Sequence, residues 1–224
     1  MDIIDAIYQR MSIRDFLPDP IPAETLERIL AAACRSPSAM NTQPWEFVVL
    51  TGAPLDRIRE ENVSRLDAGE PPASEHSVVG WPRESIYRRR QVDLAKALFS
   101  EMNIGREDTE KRREWTRRGF RFFDAPAAVI IVSDRQLSGE GPLLDLGAAM
   151  QTLCLAALAH GLGTCIEDQG VMYPSVVRKH AGIGDDKRII IGIAIGTPNP
   201  DFPANRVRTE REPVERITSW VGFD

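Results

Sequence analysis

Two short runs constrain this chain more than anything else in it. Residues 127–133 (Ala-Ala-Val-Ile-Ile-Val-Ser) and 188–195 (Arg-Ile-Ile-Ile-Gly-Ile-Ala-Ile) are apolar without alternation. A strand with one wet face alternates apolar and polar side chains, so an unbroken apolar run predicts a strand covered on both faces. Shorter strands are predicted at 47–50 and 163–167. Helical periodicity fills the gaps. One face of a first helix holds Ile3, Ile4, Ile7 and Met11, with Asp5 and Gln9 outward, and a second holds Leu26, Ile29, Leu30 and Ala33. Further helices are expected at 53–66, within 81–123 and at 173–181. The run from Pro142 to His160 is hydrophobic nearly all round, which predicts a central helix packed on most sides and closed by Gly161. Strands interleaved with helices imply helical layers around a central sheet.

Composition narrows the function classes. With 42% hydrophobic residues, 27% charged residues and a net charge of −5, the chain reads as globular with a sizeable core. Mild acidity argues against nucleic acid or an anionic membrane as the main partner. Residues 83–121 run the other way, with twelve Lys/Arg against seven Asp/Glu, but they hold no recognised nucleic-acid motif and pair many of their charges at helical spacing. Cys34, Cys154 and Cys165 have no metal-ligand spacing, so reduced core thiols and a cytoplasmic location are expected. His76, His160 and His180 are scattered singles, which gives neither a zinc site nor a catalytic triad. No signal peptide is expected at the start, and the longest apolar segment, 153–159, is too short to cross a bilayer. No Gly-x-Gly-x-x-Gly follows a strand, there is no Walker loop, and no side chain stands out as a nucleophile, so any redox chemistry belongs to a cofactor.

Two polar constellations point to binding. Arg10 and Arg14 flank Ser12, and two guanidiniums and a hydroxyl at that spacing can clasp a phosphate or an anionic ring edge. An exposed helix end, where arginines meet the macrodipole, would explain the same residues. Residues 35–47 form a long helix-to-strand connection holding Ser36, Ser38, Asn41, Thr42 and Gln43, stiffened by Pro37 and Pro44. A stiff polar loop suits the edge of a flat heteroaromatic ring, and a capped surface turn would use the same residues.

Read together and in order, five motifs resemble the FMN-dependent nitroreductase family. They are Arg10-Met-Ser-Ile-Arg14-Asp-Phe16, Ser36-Pro-Ser-Ala-Met-Asn41-Thr-Gln43-Pro-Trp45, the Leu-Asp-Leu-Gly-Ala-Ala-Met-Gln-Thr-Leu helix ending in His160-Gly-Leu-Gly-Thr, Ile193-Ala-Ile-Gly196-Thr-Pro198, and Arg208-Thr-Glu-Arg211-Glu-Pro213. The resemblance covers the chain apart from roughly residues 55–125. It implies an α+β, three-layer α-β-α fold with a mixed central sheet, in an intertwined homodimer with FMN at the interface. A single domain, 1–224, would then carry a helical excursion or lid at 67–123. A tail at 197–224 would pack on the partner subunit.

The resemblance also implies site residues. Arg10 and Arg211 match phosphate-binding positions, supported by Ser12, with Arg208 a second candidate, and Met11 and Ile13 lie on the same segment. Arg14 matches the basic residue near flavin N1 and O2, where a fixed cation raises the reduction potential. Ser38, Asn41 and Gln43 match the loop that meets the flavin from the partner. Ile166, Glu167 and Asp168 match the segment near N5, with the Glu167 backbone amide as the useful donor. Chemistry would reside on the flavin, with no catalytic side chain and no metal. NADPH or NADH would pass hydride to it, and an aromatic acceptor such as a nitroaromatic or quinone would take that hydride in turn. Trp81, Tyr87, Phe99, Trp115, Phe120 and Phe123 are candidates to cover the acceptor, with helix packing as the alternative use of each. Arginines 88–90 are candidates for the 2′-phosphate of NADPH. Dehalogenation, ene reduction and non-catalytic flavin binding are alternatives; for deiodination Glu84, Tyr87 and Lys96 offer the residue types at a poorly fitting spacing.

Overall fold

A computed structural model describes residues 2–76 and 80–223. Residues 77–79, within the expected 67–123 excursion, lie outside the described residues. Four strands, β1 (Glu46–Thr51), β2 (Ala127–Asp134), β3 (Gly163–Glu167) and β4 (Lys187–Gly196), form one sheet in the order β1-β2-β4-β3. The helices are α1 (Ile3–Gln9), α2 (Ala23–Ala33), α3 (Gly52–Asp67), α4 (Ile86–Glu101), α5 (Thr109–Phe120), α6 (Gly141–Ala159), α7 (Pro174–Ala181) and the short α8 (Val214–Ile217).

The two unbroken apolar runs are the central strands, and the sheet explains why they do not alternate. Along β2, Ala128, Ile130 and Val132 enter one core with residues of α3 and α7, while Ala127, Val129 and Ile131 enter a second core with α2 and α6. Helices therefore cover both faces, and the α+β three-layer expectation holds. Each neighbouring pair of strands is antiparallel. The mixed character expected of the sheet enters only through a single parallel bridge, Ser12 to Thr164, by which an extended segment lies along the edge strand β3. Ile13 N–H donates to Thr164 O at 2.9 Å, which ties the arginine-bearing segment to the sheet.

Several local expectations are corrected. α1 stops at Gln9, so Arg10 to Arg14 run extended rather than helical. The apolar face of α1 is not buried: Ile3, Ile4 and Ile7 are 67%, 55% and 48% exposed, and Ala6 alone is covered. α6 likewise buries one stripe, Leu146, Ala149, Leu153, Cys154 and Ala157, and leaves Leu144 exposed, so it is not packed on most sides within the chain. Its length and apolarity match those of a bilayer-crossing helix, but it lies against α2 and β3 as a layer of the fold. Gly161 does close it, at φ 75°. Cys34 is exposed at the end of α2, unlike Cys154 and Cys165.

The excursion holds α4 and α5, and its stem is fastened to the main body. Tyr173 hydroxyl donates to Glu70 O at 2.7 Å and Ala73 N–H to Met172 O at 2.9 Å. Glu75 accepts from Arg178 at 2.7 Å, from Arg135 at 2.6 Å and from the Ile189 amide at 2.7 Å. Burial alone would raise this carboxyl, but those three donors outweigh it and hold it below the usual range. After α5 the chain turns through Phe122, Phe123 and Asp124, all at positive φ (56°, 52° and 56°). Non-glycine residues rarely sit there. Arg59 holds the turn by donating to Arg121 O at 3.0 Å and to Ala125 O.

Candidate functional site

The segment along β3 forms one wall of a cavity of about 750 Å³. That volume lies within the usual range for a small-molecule site. Gln9, Arg10, Met11 and Ile13 line it from this segment, Cys154 and Leu158 from α6, and Gly163 and Thr164 from β3. The far wall comes from the stretch after β4: Pro198, Asn199, Asn205, Arg206 and Arg208. Three guanidiniums therefore converge on one opening. None of Arg10, Arg206 and Arg208 is in an ion pair among the described residues, although Arg118, Arg121 and Arg178 are. In an acidic chain, arginines left without carboxylates around a concave site make an anion cradle. The charge of Arg10 reaches the buried Cys154 thiol, whose pKa burial raises and Arg10 and Thr164 partly bring back down.

Next along the segment, Arg14 N–H donates to Asn205 Oδ1 at 2.7 Å, and its guanidinium donates to Ser12 O at 3.3 Å. Arg14 does not line the cavity; it lies toward the Cys165 face of β3, where burial pushes the thiol up to about 12 and Arg14 only partly offsets it. The end of β3 supplies Ile166, Glu167 and then Asp168. Glu167 turns its carboxyl inward, where Oε2 accepts from the Gly170 amide at 2.8 Å and Oε1 has no partner. Burial pushes this carboxyl up to about 8, against the pull of the Gly170 and Gln169 amides. Asp168 sits 3.6 Å from His76 of the excursion stem.

Other expected site residues lie apart from this cavity. Ser38 Oγ accepts from Gln43 N–H at 3.0 Å, and the Ala39 amide donates to Asp145 on α6 at 3.1 Å, so the 36–43 loop is mounted on α6. Met40, Asn41 and Gln43 all have positive φ (49°, 59° and 48°), and Met40 is 96% exposed at the tip. Arg211 is exposed and donates to the Thr209 hydroxyl at 2.8 Å; it does not line the cavity. Of the expected aromatics, Phe120 and Phe123 enter the core and cannot cover a ligand there, which corrects that expectation for both. Trp115 packs between Phe99 and Phe123, with centroids 6.3 and 6.5 Å away. Trp81 and Tyr87 are exposed at 40% and 58%. Arg88, Arg89 and Arg90 are exposed, with Arg90 paired to Glu212 at 2.7 Å. Sequence reasoning missed Arg206 and Asn205; the Arg206-Val-Arg208 doublet was the available signal for the first.

The model of the nitroreductase family matches residues 7–197. The chain belongs to the nitroreductase family. Among its nitroreductase relatives, a nitrobenzene nitroreductase of Ectopseudomonas oleovorans is 33% identical over 98% of this chain and 96% of its own. The FMN- and NADPH-dependent nitroreductase NfnB of Sphigopyxis sp. strain HMH superposes with a TM-score of 0.94 at 28% identity, covering both chains fully. NfnB of Mycobacterium smegmatis, an FMN-dependent nitroreductase solved with NADPH, gives 0.90 at 27% identity, over 98% of this chain and 100% of its own. The family match spans the arginine segment, α6 and β3 of the cavity wall and ends at 197, just before the far wall begins at Pro198.

Proposed function

We propose that this nitroreductase-family chain is an FMN-dependent oxidoreductase that passes electrons from NAD(P)H to an aromatic acceptor such as a nitroaromatic or a quinone. The observation that carries the reading is the cradle of Arg10, Arg206 and Arg208, three guanidiniums without carboxylates around one cavity. Its donor set fits a phosphate monoester, and its remaining wall of Met11, Ile13 and Leu158 fits an uncharged chain. When bound, FMN supplies hydride transfer, which no side chain here can perform.

The chain's own residues then have binding and electrostatic roles. Arg10, Arg206 and Arg208 hold the phosphate, with Ser12 behind them and Arg211 reaching it from the tail. Arg14 is a fixed cation that stabilises added negative charge on the ring and so raises its reduction potential. The Ile166-Glu167-Asp168 turn offers backbone donors. The exposed Ser38–Gln43 loop, which does not line the arginine cavity, serves the site of a second copy in a homodimer. Trp81 and Tyr87 are free to stack on an acceptor, and Arg88 or Arg89 to meet a 2′-phosphate. Donor and acceptor use one site in turn, a ping-pong scheme, in the cytoplasm.

An absorbance titration tests this. Purified protein with FMN should show flavin bands that bleach within seconds of adding NADPH without oxygen and return on adding a nitroaromatic. Replacing Arg206 and Arg208 together by alanine should weaken FMN binding by about 100-fold, since each charged hydrogen bond contributes about 1.5–3 kcal/mol. Wild-type protein that takes up no FMN would sink the reading. Bound flavin that neither NADPH nor NADH reduces would leave a flavin-binding protein instead.

A further inference from the structure

We propose that Asn205 and Arg118 are positioning residues that clamp the Arg14 peptide from opposite sides and occupy Asp15, leaving the Arg14 guanidinium uncompensated for the ring of the bound cofactor. The proposal rests on the flavin reading above. It begins with two side chains far apart in sequence that meet at three consecutive peptides around Arg14 and Asp15.

The Arg14 N–H donates to Asn205 Oδ1 at 2.7 Å, and the Arg14 carbonyl accepts from Arg118 Nη2 at 3.0 Å. Asn205 has no freedom left to do otherwise. Its Nδ2 donates to Asp15 O at 2.8 Å and to Asn199 O at 2.9 Å, so both amide hydrogens are committed. Flipping the amide would set its oxygen against two carbonyls and its NH₂ against the Arg14 N–H. Asn205 borders the cavity at 8% exposure, yet its side chain is spent on the wall rather than on a ligand.

Arg118 is equally fixed. It ion-pairs with Asp15, its guanidinium lies over the Phe202 ring at 4.7 Å, and its Nη1 is 3.4 Å from Asp124. The second oxygen of Asp15 accepts from Asn199 Nδ2 at 2.7 Å. Both carboxylate oxygens of Asp15 are therefore taken. This matters because Asp15 is the immediate neighbour of Arg14 and the nearest group that would cancel its charge. Holding the backbone on both sides of the Arg14 Cα removes conformational freedom that the side chain would otherwise inherit. The Arg14 guanidinium has no carboxylate partner among the described residues; its hydrogen bond there is to the Ser12 carbonyl.

The test has one arm without cofactor and one with it. In FMN-free protein, amide hydrogen exchange at Arg14 should speed up by about tenfold in Asn205→Ala, the factor expected for losing one net hydrogen bond. Unchanged exchange overturns the clamp. With FMN, Asn205→Ala and Arg118→Met should each weaken binding about tenfold and lower the reduction potential of the bound cofactor. In an Arg14→Ala background either change should move the affinity by less than about twofold, because both act through that one residue. Equal losses in the two backgrounds overturn the proposal, since the residues would then act independently of Arg14. If Asn205→Ala does not fold, Arg118→Met tests the same peptide from its carbonyl side. Wild-type protein that binds no FMN overturns the functional reading and the cofactor half of this proposal, while the exchange arm judges the clamp separately.

Discussion

Glu167 carries its carboxyl into the core, and the consequence is a stability that depends on pH. Phe122, Gly170 and Gly192 surround it, Oε1 is unpartnered, and burial raises its pKa from 4.5 to about 8. The folded chain thus binds a proton that the unfolded chain releases. The stabilisation is complete below the unfolded value of 4.5 and is lost as pH rises through the window to about 8. Glu167→Gln should abolish that decline. Urea midpoints of the wild type should fall from pH 5 to pH 8 by the equivalent of a few kcal/mol, roughly 1.4 kcal/mol for each pH unit crossed, while the variant stays level. Parallel declines in both proteins would contradict the assignment. The same pocket explains a glycine. A Cβ on Gly192 would stand 2.8 Å from Phe122 Cε1 and 3.2 Å from Glu167 Oε1. Gly192→Ala should cost about 1–3 kcal/mol by overpacking, read as a lower urea midpoint with an unchanged slope.

At the scale of elements, the excursion is held at its root rather than along its length. Leu98 is the one core residue of α4, and Trp81 and Tyr87 stand exposed, whereas Glu75 is gripped by Arg178, Arg135 and the Ile189 amide. Glu75→Ala leaves Arg178 half-buried without its carboxylate and frees the 68–76 connector. Limited proteolysis should then cut that connector several-fold faster than in the wild type, and cleavage that stays slow would show that Tyr173 and Ala73 suffice to hold it. The depressed Glu75 carboxyl adds stability above its unfolded value that is lost as pH falls, the opposite sign to Glu167. Most elements were legible from periodicity: β2, β4, α2 and α7 lie within a residue or two of expectation because each owes its pattern to a face it buries. α1 misled for the same reason. Its apolar stripe is real, but among the described residues Ile3, Ile4 and Ile7 stay exposed.

Across the whole molecule, three sets of large apolar side chains stay exposed. Ile3, Ile4, Ile7 and Tyr8 of α1 and its end, Met40 at its loop tip, and Val214, Ile217, Trp220, Val221 and Phe223 of the tail are all exposed. The tail is anchored as far as Glu212, through Arg90, and by the Asn205 hydrogen bonds before it. Beyond that point its large side chains meet none of the core. Exposed apolar groups of this kind fit an interface, and the homodimer proposed above would cover them with a second copy of the chain. Ending the chain after Pro213 should shift sedimentation from dimer toward monomer and weaken FMN binding. A truncated chain that still sediments as the wild type does would place the contact elsewhere.

The sequence by itself determined the layered core, because two strands without alternation need cover on both faces, and it offered Arg10, Ser12 and Arg14 as candidate binding residues through the family resemblance, their spacing alone leaving an exposed helix end open. Only the tertiary structure decided what that segment faces. Asn205, Arg206 and Arg208 follow the end of β4 at Gly196 by 9, 10 and 12 residues, and they reach Arg10 and Arg14 because packing sets the strand order β1-β2-β4-β3, so that the segment along edge strand β3 also bridges, at Phe16, to Pro198 beyond the end of β4. Asp124 tolerates a left-handed backbone, but nothing local to Phe122 and Phe123 favours one. That turn exists because Arg59 and the core around Phe122 hold it there, a balance of long-range contacts over local preference that no window of sequence contains.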